Sequence, residues 1–450
     1  MIAEWRARGG EVAVVGLGKS GVAAGLLLRE RGVPVYASDT GRTDAHERWG
    51  AQLRAAGAEV QLGGHDLDRI ARAIAVVVAP GVPPDVPPLA AARGAGVPVH
   101  AETDLGVSEL RATRYVAVTG TNGKTTTTSL IGHAMAGAGL RGETAGNIGR
   151  PVCDVARLSD PPAWLALELS SFQLHDMPSV APAVGVLTNL APNHLDRYAT
   201  LEEYYGDKAL LFRNARRESV WVTNADDAAV QAMSAGITGS HRRFSVRERA
   251  DAWYDRDRNQ LMLGARPVLD RGRLPILGDH NVANALAALL AVETIGGAPE
   301  RIAEAFTTFR SIPHRVEPIG EVDGVLWIND SKSTNVTSTE VAVLALDRPF
   351  VLLLGGRHKG EPYSRLIPLL QGRCRAVVAY GESGDIVAAD LGDAIRVVRA
   401  GTFDSVLAAA RQEALPGDAV LLSPACSSYD MFENYEERGE RFRAAVEAMR

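Results

Sequence analysis

The stretch that most constrains this chain is Tyr115 to Thr128, which reads Y-V-A-V-T-G-T-N-G-K-T-T-T-T. Tyr115 to Thr119 is an apolar, β-branched run of strand length; it breaks into a glycine-containing turn, and Ser129 to Leu140 then has helical character. Gly120 and Gly123 let the backbone turn tightly with its N–H groups inward, and the helix N-terminus adds partial positive charge. Lys124 can reach terminal phosphates, and Thr125 offers a hydroxyl to Mg²⁺. Strand, phosphate loop and helix together suit a nucleoside triphosphate. Val118 stands where the long-form loop has glycine, so only the shorter G-x-x-G-K-T is present. That short motif also occurs as an ordinary strand-to-helix turn, a reading the flanking strand and helix argue against.

At 450 residues the length suggests about three domains, and 46% hydrophobic residues are ample for their cores. The formal charge of −6 comes from interspersed acids and bases, so nucleic acid is not an expected partner. Cys153, Cys374 and Cys426 are widely spaced with no C-x-x-C pair, which indicates neither a disulfide framework nor a zinc knuckle and fits a reducing cytoplasm. The first ten residues lack the apolar core of a signal peptide, and no run is long enough to cross a bilayer. A soluble, cytoplasmic protein without a membrane partner is expected.

Before the phosphate loop, Glu11 to Val15 form a strand candidate, followed by G-L-G-K-S-G (Gly16 to Gly21), a helix to Arg31 and a second strand, Val33 to Ala37, that ends at Asp39. The spacing meets the dinucleotide fingerprint, with the acid placed for a ribose hydroxyl. It leaves open whether a nicotinamide cofactor or another nucleotide diphosphate is bound. A strand at Ala75 to Ala79 leads into P-G-V-P-P-D-V-P-P, either a ligand wall at a carboxyl strand edge or a rigid connector. After a short strand, Val97 to His100, the domain is expected to end near Asp104.

Beyond the phosphate loop, A-G-N-I-G (Ala145 to Gly149) presents Asn147, and the strand Trp164 to Leu167 carries Glu168 at its tip, where a Mg²⁺ ligand or water-ordering group is expected. The strand Val184 to Leu187 delivers T-N-L-A-P-N-H-L-D-R-Y, whose His194 is either structural or a ligand. A helical segment, Leu201 to Asn214, places Lys208 among Tyr204, Tyr205, Leu211 and Phe212, in a pocket or snorkelling to water. Residues His241 to Leu277 read as peripheral antiparallel hairpins without chemistry. The helix opening at Gly278 brings Asn281 and Asn284 to one face, to cap it or to read a base edge. A break at R-S-I-P-H-R (Arg310 to Arg315) marks the next boundary.

Strands then alternate with helices at Val325 to Ile328, Phe350 to Leu354, Ala376 to Ala379, Ile395 to Val398 and Ala419 to Leu422, implying a mostly parallel sheet. Three polar loops follow strands: N-D-S-K-S-T-N (Asn329 to Asn335), G-G-R-H-K-G (Gly355 to Gly360) and S-P-A-C-S-S-Y-D-M-F (Ser423 to Phe432). Together they suit carboxylate or phosphate ligands. Cys426 has no local histidine to activate it as a nucleophile.

In this order, G-T-N-G-K-T-T, G-N-I-G, E-L-S-S-F-Q-L, N-H-L-D-R, H-N-x-x-N, P-H-R, N-D-S-K-S-T-N and G-G-x-x-K-G resemble the Mur ligase family of ATP-dependent amino-acid ligases over nearly the whole chain. The resemblance implies an α/β protein of three domains: residues 1–104 Rossmann-like and UDP-sugar-binding, 105–311 a P-loop-type ATPase with peripheral antiparallel strands, and 312–450 a Rossmann-like amino-acid-binding domain. It implies ATP, two Mg²⁺ ions, and UDP-N-acetylmuramoyl-L-alanine and D-glutamate as substrates of a monomer.

By position, the resemblance places Gly120, Thr121, Asn122, Gly123, Lys124, Thr125 and Thr126 on the ATP phosphates, and Asn281, Asn284, Arg315 and Asp330 on the adenosine side, with His314 as a companion. Thr125 and Glu168 would hold one Mg²⁺, His194 and a carbamylated Lys208 the other. Leu17, Gly18, Lys19, Ser20, Asp39, Thr40, Arg42 and Gly81 fall on the uridine diphosphate half, and Asn147 where the muramoyl arm passes. Lys332, a catalytic candidate, faces the transferred phosphate and D-glutamate with Thr334, Lys359, Ser428, Tyr429 and Tyr435. Asn193 departs from a frequent Asp and Tyr435 from a Phe. Since these residues come from three domains, closure of the third over the site is expected. The rival readings are a sister ligase for another amino acid, a folate polyglutamylating enzyme, an NAD-dependent oxidoreductase using Gly16 to Asp39, and a nucleotide-dependent switch or motor.

Overall fold

The computed structural model describes residues 1–192, 198, 200–310 and 313–450. Its chain forms two compact units, residues 1–271 with 283–307, and 272–282 with 308–450. The first unit contains two sheets.

One is built from β1 (Val12–Val15), β2 (Val35–Asp39), β3 (Glu59–Leu62), β4 (Ala75–Val78) and β5 (Val99–Ala101). They run parallel in the order β3-β2-β1-β4-β5. The V-A-V-V of β1 is buried at every position, as a central parallel strand covered on both faces must be. Edge strand β3, E-V-Q-L, buries only Leu62 fully, and its polar composition hides it from a hydrophobicity reading.

The second sheet comprises β6 (Arg114–Thr119), β7 (Gly142–Gly146), β8 (Trp164–Glu168), β9 (Val184–Leu187), β10 (Val220–Asn224), β11 (Ser240–Ser245), β12 (Ala252–Asp255), β13 (Gln260–Leu263) and β14 (Arg266–Asp270). Their order is β14-β13-β12-β11-β10-β9-β6-β8-β7. The hairpins expected between His241 and Leu277 are antiparallel only across β12-β13-β14. The helix Ala228–Ser234 crosses over between β10 and β11, so β11 returns parallel to β10, and β12 is parallel to β11.

The two sheets share one core, which runs from Val12 and Leu27 to Ala117, Leu167 and Trp221. Their junction is the helix Glu102–Glu109, whose Glu102, Thr103 and Asp104 are fully buried. Beside it, Arg93 Nη2 donates to both carboxylate oxygens of Asp176, at 2.9 and 3.0 Å. Asp104, where the first domain was expected to end, therefore lies inside a packed helix.

In the second unit, β15 (Glu317–Val322), β16 (Val325–Asn329), β17 (Phe350–Gly355), β18 (Cys374–Tyr380), β19 (Val397–Ala400) and β20 (Ala419–Leu422) form a sheet in the order β15-β16-β20-β17-β18-β19. Only β15 is antiparallel. Strands β16, β20 and β17 are neighbours, so the three polar loops that follow them emerge side by side at the carboxyl edge, where the connection reverses direction across the sheet.

Candidate active site

Four adjacent strands deliver the phosphate loop and its supports to one carboxyl edge: Asn147 follows β7, Glu168 ends β8, Gly120 follows β6 and Thr188 follows β9. Gly120 (φ 142°) and Gly123 (φ 81°) take backbone conformations that an L side chain resists, and a Cβ on Gly123 would sit 2.4 Å from Asn284 Oδ1. The helix Lys124–Gly137 starts there without a side-chain cap. The N–H groups of Thr121 and Asn122 instead donate to Asn189, through its backbone and side-chain oxygens, at 2.8 and 2.9 Å. These two loop N–H groups are therefore occupied within the protein. Asn189 and Thr188, whose hydroxyl donates to Asn122 O at 2.7 Å, were not singled out in the sequence; an asparagine after a strand carries no distinctive signal.

Lys124 folds back on its own loop, donating to Gly120 O at 3.0 Å and Thr121 O at 2.8 Å. Lys208, 1% exposed, donates to the same Gly120 O at 2.7 Å and lies 4.6 Å from the centre of the Tyr204 ring. It is enclosed rather than snorkelling. Burial pushes its pKa well below the ordinary lysine value, and repulsion from Lys124 adds to this, while Asp207 and Glu168 oppose it. Glu168 is 2% exposed; Oε1 accepts from Asn147 Nδ2 at 2.9 Å, and Oε2 is buried with no hydrogen-bond partner among the described residues. A buried anionic oxygen without a donor is a fit place for a cation. No cluster of three or more His, Cys, Asp or Glu able to hold a metal exists among the described residues. Asn193 and His194 lie outside them.

On the helix Asp279–Thr294, Asn284 Oδ1 accepts from the Thr127 hydroxyl at 3.1 Å, within the first unit. Asn281 Nδ2 donates to Leu277 O at 2.8 Å, closing the helix start. Thr125 and Thr126 occupy the first turn, and Thr126 is buried.

The glycine turn after β1 borders a cavity of about 570 Å³. Gly18, Lys19, Ser20, Asp39, Thr40, Gly81 and Asn147 line it, as do Pro80, Val82, Pro83, Val86 and Pro87. The proline-rich stretch thus lines a cavity at the carboxyl strand edge. Leu17 and Arg42 do not line it. Leu17 is fully buried and gives its N–H to Asp39 Oδ2 at 2.6 Å, while Arg42 is held on Leu62 O at 3.1 and 3.2 Å. Asp39 Oδ1 accepts from Gly41 N at 2.6 Å, so this carboxylate joins the two loops as well as facing the cavity. Asn147 borders the cavity and holds Glu168, which connects the cavity to the phosphate loop.

In the second unit, Asp330 is a buried hub. It accepts from Val316 N at 3.1 Å, Ser333 Oγ at 2.5 Å and Ser423 Oγ at 2.7 Å, and burial raises its pKa to about 6. Arg315 Nε is buried with no hydrogen-bond partner among the described residues. His314 (φ 63°) accepts from Asn329 Nδ2 at 3.0 Å and meets the Tyr435 ring edge-on. Lys332 Nζ lies 5.6 Å from the centre of the Tyr435 ring, and Lys359 donates to Thr334 Oγ1 at 3.3 Å. Ser428 is buried, whereas Tyr429 is 63% exposed. Cys426 is fully buried 2.8 Å from the Tyr363 hydroxyl, and burial pushes its thiol pKa up, the reverse of an activated nucleophile.

Family models match the chain along its length: a Mur ligase MurD-like N-terminal domain at residues 10–101, a Mur ligase middle domain at 118–292 and a Mur ligase glutamate ligase domain at 314–426. The chain belongs to the Mur ligase family. Proteins named UDP-N-acetylmuramoylalanine--D-glutamate ligase are similar to it. The Acidobacterium capsulatum protein is 39% identical, with 98% of this chain and 97% of that one covered. The Desulfatibacillum aliphaticivorans protein is 36% identical, with 98% and 99% covered. Among solved structures, the MurC ligase of Thermotoga maritima shares the fold at a TM-score of 0.61 and 18% identity, covering 98% of this chain and 100% of its own. MurF of Acinetobacter baumannii does so at 0.62 and 18%, covering 96% and 93%.

Proposed function

We propose that this chain uses ATP to join D-glutamate to UDP-N-acetylmuramoyl-L-alanine, releasing ADP and phosphate; the name of its relatives, UDP-N-acetylmuramoylalanine--D-glutamate ligase, supports the choice of the two joined substrates. The observation that carries the reading is the Asn147–Glu168 hydrogen bond of 2.9 Å, because it sets one end of the cavity beside the phosphate loop. An acceptor seated by its uridine diphosphate on the glycine turn then presents its alanyl carboxylate near the γ-phosphate. The carboxylate oxygen takes the phosphoryl group and ADP leaves; the D-glutamate amine attacks the acyl carbon, loses a proton and displaces phosphate.

Lys124 and the first turn of its helix hold the phosphates. Asn281, Asn284, Arg315 and Asp330 serve the adenosine side. Thr125 and Glu168 would hold one Mg²⁺, His194 and a carbamylated Lys208 the second, and the ions would offset charge on the phosphoryl oxygens. Burial favours the neutral amine of Lys208, the form that adds carbon dioxide. Lys332, Thr334, Lys359, Ser428 and Tyr435 receive D-glutamate, with exposed Tyr429 at the rim. Three cysteines without disulfides and nucleotide substrates fit a cytoplasmic enzyme, and we assign it as a monomer. No helix among the described residues is long and apolar enough to cross a membrane.

Incubation with ATP, D-glutamate and UDP-N-acetylmuramoyl-L-alanine is expected to yield the acceptor heavier by one glutamyl residue, with one ADP per product. Phosphate release that ignores D-glutamate, or that prefers another amino acid, would overturn the assignment.

A further inference from the structure

The cavity beside the glycine turn contains a histidine that the reaction above leaves without a task. We propose that His65 is a specificity-determining residue that hydrogen-bonds the nucleoside of the acceptor through Nε2, an inference resting on assigning this cavity to the uridine diphosphate half.

His65 lines the cavity, and its Nδ1 lies 2.9 Å from the hydroxyl of Ser38, which is fully buried on β2. That bond fixes the ring, and Nε2 has no hydrogen-bond partner among the described residues. The other polar groups have assignable places. Lys19 and Ser20 begin the helix Lys19–Glu30 beside the glycine turn, where a diphosphate belongs. Asn147 is held on Glu168 at the far end. Asp39, the residue that dinucleotide folds use for a ribose hydroxyl, already accepts the Leu17 and Gly41 N–H groups and has His46 Nε2 at 3.6 Å. His65, next to Asp39 through Ser38, and Thr40 are the side chains left to face the nucleoside. Burial lowers the ring's pKa, with Asp39 opposing, which favours the uncharged imidazole, and the Ser38 hydroxyl can serve Nδ1 as donor or acceptor in either tautomer. The adjoining Asp66 is occupied in capping Arg69 N at 2.9 Å.

His65→Asn keeps an amide near the Nδ1 position and removes Nε2; His65→Gln restores a polar atom close to Nε2. For His65→Asn, the KM for UDP-N-acetylmuramoyl-L-alanine and the inhibition constant of UDP against it are both expected to rise about tenfold, the loss of one hydrogen bond. The kcat, the KM for ATP and the unfolding temperature are expected to stay at wild-type values, and His65→Gln to recover most of the affinity. An unchanged acceptor KM, or a parallel rise in the ATP KM, overturns the proposal. So does a Gln variant as weak as the Asn variant. If UDP fails to compete with the acceptor even in the wild-type protein, the cavity assignment itself falls, a result separate from the behaviour of the variants.

Discussion

Two glycine turns in the first compact unit put one backbone device into two electrostatic settings. At Gly16 to Gly21, a Cβ on Gly21 would lie 1.9 Å from Gly16 O, so only glycine lets the helix start so close to the strand; at Gly123, Asn284 imposes the same demand. The surroundings differ. The first turn is stitched to a carboxylate, Asp39, and roofed by prolines around a cavity. The second has Lys124 and buried Lys208 converging on Gly120 O, with Glu168 in the neighbouring strand. The glycine spacing marks a tight strand-to-helix turn in both places, and what separates them is the charge around each, which under the proposed function would decide whether a phosphate is held or transferred.

If the second turn alone performs transfer, Lys124→Met is expected to lower kcat by about 10³-fold, the scale of a lost charge at developing phosphoryl negative charge, and to leave the acceptor KM nearly unchanged. Steady-state kinetics with acceptor and ATP varied separately checks this. An equal loss in acceptor affinity would erase the distinction between the two turns.

A smaller and opposite effect on stability is expected from Lys208→Met. The folded pKa of this lysine is depressed well below 10.5, so the unfolded chain binds the extra proton, and stability is present above pH 10.5 and lost as pH falls through the folded value. Lys208→Met removes that cost. Its unfolding temperature at pH 7 should exceed that of the wild type by a few degrees, the gap closing as pH rises, while activity is lost. A flat wild-type profile would mean that the nitrogen carries a modification.

The sequence made the inner strands and the second turn legible because their residues answer one dominant demand each. β9 and β20 are short apolar runs buried on both faces, and their limits match those expected from the residues. The polar edge strand β3 and the strand Glu317–Val322, whose residues are mostly half-buried, carry no such pattern. Lys124 and Glu168 stand out in the sequence as charged residues shortly after or at the end of apolar strands, and the structure brings both strands' ends to one edge. Site residues were not legible where the role depends on a tertiary neighbour. Asn189 supports the phosphate loop only because β9 lies beside β6, and His65 enters the cavity only because β3 pairs with β2. Arg42 shows the converse: a suitable residue in a suitable loop whose guanidinium is held by a carbonyl at the end of β3.

The helix Glu102–Glu109 links the two settings and supplies the last test. Glu102 is fully buried, with Oε1 accepting from Cys153 N at 2.7 Å, and burial raises its pKa from 4.5 to about 7. The folded state therefore keeps the proton that the unfolded chain releases. This group's stabilisation is complete below pH 4.5, declines as pH rises and is lost through about pH 7, an upper-bound change of about 3 kcal/mol. Glu102→Gln presents the same neutral shape at every pH. Denaturant unfolding should find the variant close to wild type in acid and the more stable protein above pH 7. Because the junction is a single core, both turns should lose order together in that transition. A wild-type transition that splits into two steps above pH 7, with the cavity of the first turn lost before the phosphate loop, would show that the two settings are separable folding units.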